Sequence, residues 1–221
     1  MLKMKMLGFA ILILSASVLQ AQKKMSLGLV LGGSYNIHTG SGLAKTATGV
    51  GFVGGVQMDV SFTKALGLLT TVYAYDNRIG GTTRDVMIDG IVFTDVTSVT
   101  IAYAGIEPLL KYTMPDDRFY FVAGPSIGFK VEAHGEDTQT TTTPATGFPD
   151  GYSYQSTYKP ADVNTRFEFN VGAGYVLKID GQTRLTTQMI FAHGLNNIEK
   201  NVDWRINSVR LIASLEFDVF Q

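Results

Sequence analysis

From residue 25 to residue 220 the chain repeats one pattern: apolar and polar residues alternate, segment after segment. A period of two is the signature of β-strands with two unlike faces. Eight segments show it: 25–38, 50–62, 66–77, 97–113, 118–131, 166–179, 184–194 and 206–220. In 50–62, Phe52, Val56, Met58, Val60 and Phe62 share one face, while Gly51, Gly55, Gln57, Asp59 and Ser61 share the other. In 97–113, Ala102, Ala104, Ile106, Leu110 and Tyr112 oppose Tyr103, Gly105, Glu107, Leu109 and Lys111. In 166–179 the apolar set runs from Phe167 to Ile179 and the polar set holds Glu168, Asn170 and Lys178. In 206–220 Val209, Leu211, Leu215 and Phe217 oppose Ser208, Arg210, Glu216 and Asp218. The faces of 66–77 do not separate by parity.

A soluble barrel would alternate too, with its apolar face inward. Length and the content of the polar face separate the two cases. These segments reach the ~9–11 residues that a tilted strand needs to cross a bilayer, beyond the ~5–6 of an ordinary globular strand. The polar face mixes glycine with charges, as a narrow interior requires. The apolar face carries Tyr35, Phe62, Tyr112, Phe119, Phe167 and Phe217 near segment ends, suited to aromatic girdles at the two interfaces. The expectation is an all-β chain folded as an eight-stranded antiparallel up-and-down transmembrane β-barrel.

The connections alternate in length. Thr63–Ala65, Met114–Asp117 and Asp180–Thr183 have tight-turn compositions, whereas 39–49, 78–96, 132–165 and 195–205 are longer and polar. Short periplasmic turns and long external loops are the asymmetry of outer-membrane barrels. The longest connection holds Thr140–Thr143, Pro144, Tyr152, Tyr154 and Tyr158, and is expected to be a solvated loop.

Residues 1–21 read as a secretory signal peptide: Lys3 and Lys5, an apolar run from Met6 to Leu14, then small and polar residues up to Ala21. The apolar run is too short to cross a bilayer comfortably, which needs ~20 residues. Residues 22–221 then form the barrel domain, which keeps 16 basic against 19 acidic residues. That balance offers no field for nucleic acid. Cysteine is absent, which excludes disulfides, cysteine-ligated metal, cysteine nucleophiles and a lipid-modified N-terminus.

Ten charged residues fall on the inward parity: Asp59, Glu107, Glu168, Glu216 and Asp218 against Lys111, Lys130, Lys178, Arg184 and Arg210. A pore selective for one sign of ion needs an excess of one charge, and an eight-stranded lumen is just wide enough to be filled by side chains. The expectation is a lumen network of mutually neutralised charges. Histidines are three, His38, His134 and His193, with no HExxH and no third-ligand cluster. His193 near a strand end lacks the same-face serine that an outer-membrane acyl hydrolase would use. No catalytic residue, metal site or cofactor is expected.

Four stretches resemble a known family in order and spacing. Tyr103-Ala-Gly-Ile-Glu-Pro-Leu-Leu-Lys-Tyr112 is similar to a characteristic strand of the PorT-like outer-membrane β-barrel proteins of Bacteroidetes. Phe119-Tyr-Phe-Val-Ala-Gly-Pro125, Asn170-Val-Gly-Ala-Gly174 and Ala192-His-Gly-Leu-Asn-Asn-Ile198 resemble its later elements. Here Glu107 stands between Ile106 and Pro108, where the family commonly joins isoleucine to proline. The resemblance implies a small barrel without catalytic residues, integral to the outer membrane. Its implied surroundings are lipid and lipopolysaccharide, and its implied partners are proteins of an envelope secretion or assembly complex. The alternative class is a small outer-membrane channel or transporter.

Overall fold

The structure, a computed structural model, describes residues 24–41, 46–88, 91–141, 151–160, 162–200 and 202–220. The signal-peptide reading of 1–21 lies outside the described residues. Within them the strands are β1 (Lys24–Thr39), β2 (Ala47–Ser61), β3 (Leu66–Ile88), β4 (Ile91–Thr113), β5 (Phe119–Thr141), β6 (Ser153–Tyr158), β7 (Arg166–Lys178), β8 (Thr183–Gly194) and β9 (Arg205–Phe220).

Every pairing is antiparallel. Each strand from β1 to β5 pairs with the next, β5 pairs with β7, and β7, β8 and β9 follow in turn. The ladder from Met25 to Thr39 against β9 closes the circle. Eight strands therefore form a barrel with no free edge in its wall, the condition for satisfying every backbone N–H and C=O in a hydrocarbon layer. One end of the barrel carries the tight turns at 62–65, 114–118 and 179–182 together with both strand termini Lys24 and Phe220. We call it the turn end; the other is the loop end.

The expected parity holds over most of the wall. Ile106, Leu110, Phe167, Phe169, Leu211 and Phe217 point outward and are exposed, while Tyr103, Glu107, Leu109, Glu168, Arg210 and Glu216 are buried inside. Glycines on the inner face make room for large neighbours: a Cβ on Gly174 would collide with the Tyr120 ring, so only glycine fits there.

Two expectations about connections are corrected. Residues 78–96 are not a long loop; β3 and β4 pair without interruption from Arg78↔Ile101 to Ile88↔Ile91. Nor is 132–165 a loop throughout, because β5 runs on to Thr141 and the ninth strand, β6, pairs with its outer part from Gly135↔Tyr158 to Thr140↔Ser153. Both stretches are rich in threonine and other β-formers, and each strand finds a neighbour to complete its ladder. Beyond the loop end, β3, β4, β5 and β6 thus form a four-stranded sheet continuous with the wall. Thr141 is buried there, its hydroxyl donating to the Tyr152 carbonyl at 2.8 Å.

Two bulges explain where parity fails. Along β3 one extra residue, Ala74, intervenes between Tyr73↔Gly55 and Tyr75↔Gly54. Inward positions are therefore odd up to Tyr73 and even from Asp76 onward. Along β5, Val131 is the extra residue between Tyr103↔Lys130 and Ala102↔Glu132.

The outward assignment is testable on stability. Leu211→Arg, on the outer face in mid-strand, is expected to cost ~2–4 kcal/mol if it lies near the midplane of a bilayer. Gln155→Arg on exposed β6 is expected to be nearly neutral. Urea titration of the liposome-reconstituted protein, read by the gel-mobility difference between folded and unfolded barrel, measures both; equal effects would refute the assignment.

Candidate functional site

The barrel interior holds two clusters of charged and polar side chains, and no hydrogen bond or ion pair among the described residues joins them. The one nearer the turn end is built on Asp59 of β2, Lys111 of β4, Arg184 of β8 and Glu216 of β9. Lys111 Nζ donates to Asp59 Oδ2 at 2.5 Å and sits 4.5 Å from the Tyr120 ring centroid. Arg184 bridges the two acids, with Nη2 3.0 Å from Asp59 Oδ2 and Nε 2.7 Å from Glu216 Oε2. The second Glu216 oxygen accepts from Gln57 Nε2 and Thr186 Oγ1, both at 2.7 Å. Ser26 Oγ donates to Glu216 Oε2 at 3.0 Å. Glu216 thus has both oxygens satisfied, as a buried carboxylate requires.

The cluster nearer the loop end contains three arginines and three acids, all buried. Arg210 Nη2 donates to Glu107 Oε2 and, at 2.9 Å, to Asn170 Oδ1. Tyr73 donates its hydroxyl to the other Glu107 oxygen at 2.9 Å. Arg78 and Arg166 both donate to Asp76 Oδ2, at 2.8 and 2.5 Å. Arg166 Nε lies 3.2 Å from Glu168 Oε1, and Ser126 Oγ donates to Glu168 Oε2 at 3.1 Å. Arg78 Nη1 also donates to Asn36 Oδ1 at 3.3 Å and to Ser208 Oγ. Arg166 stacks on Tyr103, its Cζ 4.4 Å from the ring centroid. Three positive and three negative groups leave the cluster neutral.

Of the ten residues named from sequence, the structure brings Asp59, Lys111, Arg184 and Glu216 into one cluster and Glu107, Glu168 and Arg210 into the other. Asp218 stands at the margin, its carboxylate 3.9 Å from Arg184 Nη1. Lys130 and Lys178 do not join. Lys130 sits beside the extra residue Val131, where the pleat breaks, and its side chain is exposed. Lys178 is the last residue of β7 and is also exposed; it lines a cavity of about 770 Å³ that opens at the turn end.

Sequence reading missed Asp76, Arg78 and Arg166. The first two are turned inward by the Ala74 bulge, and Arg78 falls where a loop was expected. Arg166 shares parity with Glu168 and was open to detection by that signal alone.

Apolar side chains pack in the lumen between these groups, with Val30, Val53, Leu69, Leu109, Val122, Ile190 and Ile212 all buried. The loop end is capped by Ile198 and Trp204 from the β8–β9 connection, packed on Ile101, Tyr103 and Ile206. Hydrogen bonds hold the cap: Ile198 N to Trp204 O at 2.7 Å, Asn164 N to Ile198 O at 2.7 Å, and Trp204 Nε1 to His38 Nδ1 at 3.1 Å. The histidines lie apart. His38 is buried under the cap, His134 lies 3.7 Å from Glu132, and His193 faces outward with Nδ1 2.9 Å from Asn207 Oδ1. Among the described residues no histidine bonds to a serine, and no group of three or more His, Asp or Glu side chains could hold a metal ion.

The family model described as "Outer membrane protein beta-barrel domain" matches residues 20–200. The chain belongs to that family. No curated protein matches it by sequence. Among solved structures it is similar to Ail, the attachment invasion locus protein of Yersinia pestis, at 11% identity and TM-score 0.37, over 88% of this chain and 99% of that one. It is similar to the outer membrane protein OprG of Pseudomonas aeruginosa at 10% identity and TM-score 0.38, over 90% and 98%. The outer membrane protease OmpT of Escherichia coli is similar at 9% identity and TM-score 0.33, over 89% and 97%. At these values the likeness carries nothing about role.

The loop-end cluster yields a stability prediction. Glu107→Gln keeps the bulk of the side chain but leaves Arg210 short of a charge partner, and is expected to cost about 3–5 kcal/mol. The double variant with Arg210→Gln is expected to recover part of the loss. Lys130→Met, outside both clusters, is expected to change little. The same urea titration checks all three, and a Lys130 effect equal to that of Glu107 would refute the partition.

Proposed function

We propose that this chain is a non-enzymatic integral outer-membrane protein in which the barrel is an anchor and the sheet beyond its loop end is the working surface. One observation carries this reading: a self-neutralised lumen, packed in its middle and capped at the loop end, stands beneath strands far longer than a bilayer needs. At ~3.3 Å per residue, the 23-residue strands β3, β4 and β5 extend for roughly 75 Å, against ~9–11 residues for a tilted crossing. About a dozen residues of each strand therefore stand clear of the hydrocarbon. Short turns on one end and long excursions on the other support placing the turn end in the periplasm and the sheet outside the cell.

The resemblance to PorT-like proteins of Bacteroidetes supports a further step. In this reading the signal peptide is removed after Ala21, and the barrel sits among lipid and lipopolysaccharide as a subunit of an envelope secretion or assembly complex. The two lumen networks then serve to keep the anchor shut. A conducting role finds no support in a lumen whose charges pair with one another, and an acyl-hydrolase role finds none in three separated histidines.

Four measurements on the native protein test the proposal. The mature chain is expected to begin at Gln22, to fractionate with the outer membrane, to show no large steady conductance in planar bilayers, and to co-purify with envelope proteins after crosslinking. A start at Met1, an ion-selective conductance or turnover of phospholipid would each overturn the corresponding part.

A further inference from the structure

One edge of the sheet beyond the loop end is β6, which carries exposed tyrosines. Tyr154 and Tyr158 lie on one face of this strand, two turns of the pleat apart, and Tyr152 precedes them in the same parity. All three are exposed, by 47% for Tyr152, 60% for Tyr154 and 40% for Tyr158. The register puts β5 residues of the same face beside them: Gly135 opposite Tyr158, Asp137 opposite Ser156 and Gln139 opposite Tyr154. The Tyr158 ring lies over Gly135, in the space a Cβ would take. Asp137 and Glu199 of the cap both raise the Tyr158 hydroxyl above its ordinary pKa, after burial, so two carboxylates border this ring.

Charge narrows the ligand. Arg84, in line with Asp95 and Gln139 across the same face, is already held by Asp95, with Nε 2.9 Å from Oδ2. The carboxylates of Asp137 and Glu199 beside Tyr158 disfavour sulfate and phosphate groups there. Exposed aromatic faces interleaved with carboxylate and amide acceptors fit a ligand with apolar C–H faces and many hydroxyls.

We propose that the face formed by Tyr152, Tyr154, Tyr158, Asp137 and Gln139 binds a neutral oligosaccharide. The rings pack on C–H faces of the sugar, and Asp137 and Gln139 accept its hydroxyls. The acidic border turns away sulfated and phosphorylated glycans. This inference deepens the proposed function and rests on its placement of the sheet outside the cell.

The test uses the full mature chain in liposomes, with neutral hexasaccharides of glucose, mannose, xylose and N-acetylglucosamine as probes and heparin as the sulfated control. Calorimetry is expected to show saturable binding of at least one neutral hexasaccharide and none of heparin. Tyr154→Ala, at a site too exposed to unfold the barrel, is expected to weaken binding by about 10-fold, and Tyr154→Phe to retain most of it. Binding of none of the four neutral sugars overturns the proposal, as does equal or tighter binding of heparin, or an unchanged affinity in Tyr154→Ala. Capture of a protein strand on the β6 edge without sugar binding also overturns it. Protease access to the β5–β6 hairpin on intact cells is scored separately, so a wrong orientation is distinguishable from a wrong ligand.

Discussion

Everything in this barrel depends on neutralising charge inside a closed wall. Once eight strands complete the ring, the inward half of every strand faces a narrow space that side chains largely fill between the cap and the cavity at the turn end. A lone arginine or carboxylate there would be costly, so each must meet an opposite charge. Asp59 and Glu216 meet Lys111 and Arg184 in one cluster; Asp76, Glu107 and Glu168 meet Arg78, Arg166 and Arg210 in the other. Glycine is the second half of the same solution. Where Tyr120 must fit inside, the facing residue is Gly174, because any side chain would occupy the ring's place.

Such networks link strands distant in sequence. Arg210 of β9 reaches Glu107 of β4, and Arg166 of β7 reaches Asp76 of β3, across the lumen rather than along the wall. The wall ladder holds neighbours only, so these crossing contacts fix the cross-section at the level of the loop-end cluster. The cap repeats the principle at the loop end with apolar groups, Ile198 and Trp204 covering Tyr103 and Ile101. A barrel filled in this way gives its protruding strands a stiff base.

How far the sequence discloses this depends on whether the pleat is regular. Along 50–62, 97–113, 166–179 and 206–220 parity alone separates lipid-facing from lumen-facing residues, and Glu107, Glu168, Arg210 and Glu216 fall inside as parity requires. In 66–77 no single parity works, and the bulge at Ala74 is the reason: Leu69, Thr71 and Tyr73 point in, then Asp76 and Arg78. Lys130 shows the opposite error, an inward assignment voided by the extra residue Val131 beside it. The long strands were hidden for another reason. Threonine-rich stretches such as 94–100 and 138–141 are polar on both faces once they leave the membrane, so they lose the alternation that marks a strand, although β-propensity and a paired neighbour keep them extended.

The bulges are what allow one ladder to serve two environments. Were Ala74 paired in a regular pleat instead of bulged, Asp76 and Arg78 would keep the outward parity and meet hydrocarbon, at a depth-dependent cost that for arginine reaches ~2–4 kcal/mol. With the bulge, both turn inward and complete the loop-end cluster. Val131 does the converse work on β5. In a regular pleat Glu132, His134 and Glu136 would point toward the cap; with the bulge Ala133 packs against that cap and Gly135 leaves space for Tyr158. Two single-residue insertions thus switch each strand between a lumen pattern and an external pattern while its hydrogen bonds continue on either side. The barrel wall and the sheet beyond its loop end are in this way one continuous sheet, and the change of environment along β3 and β5 is written in the phase of the pleat.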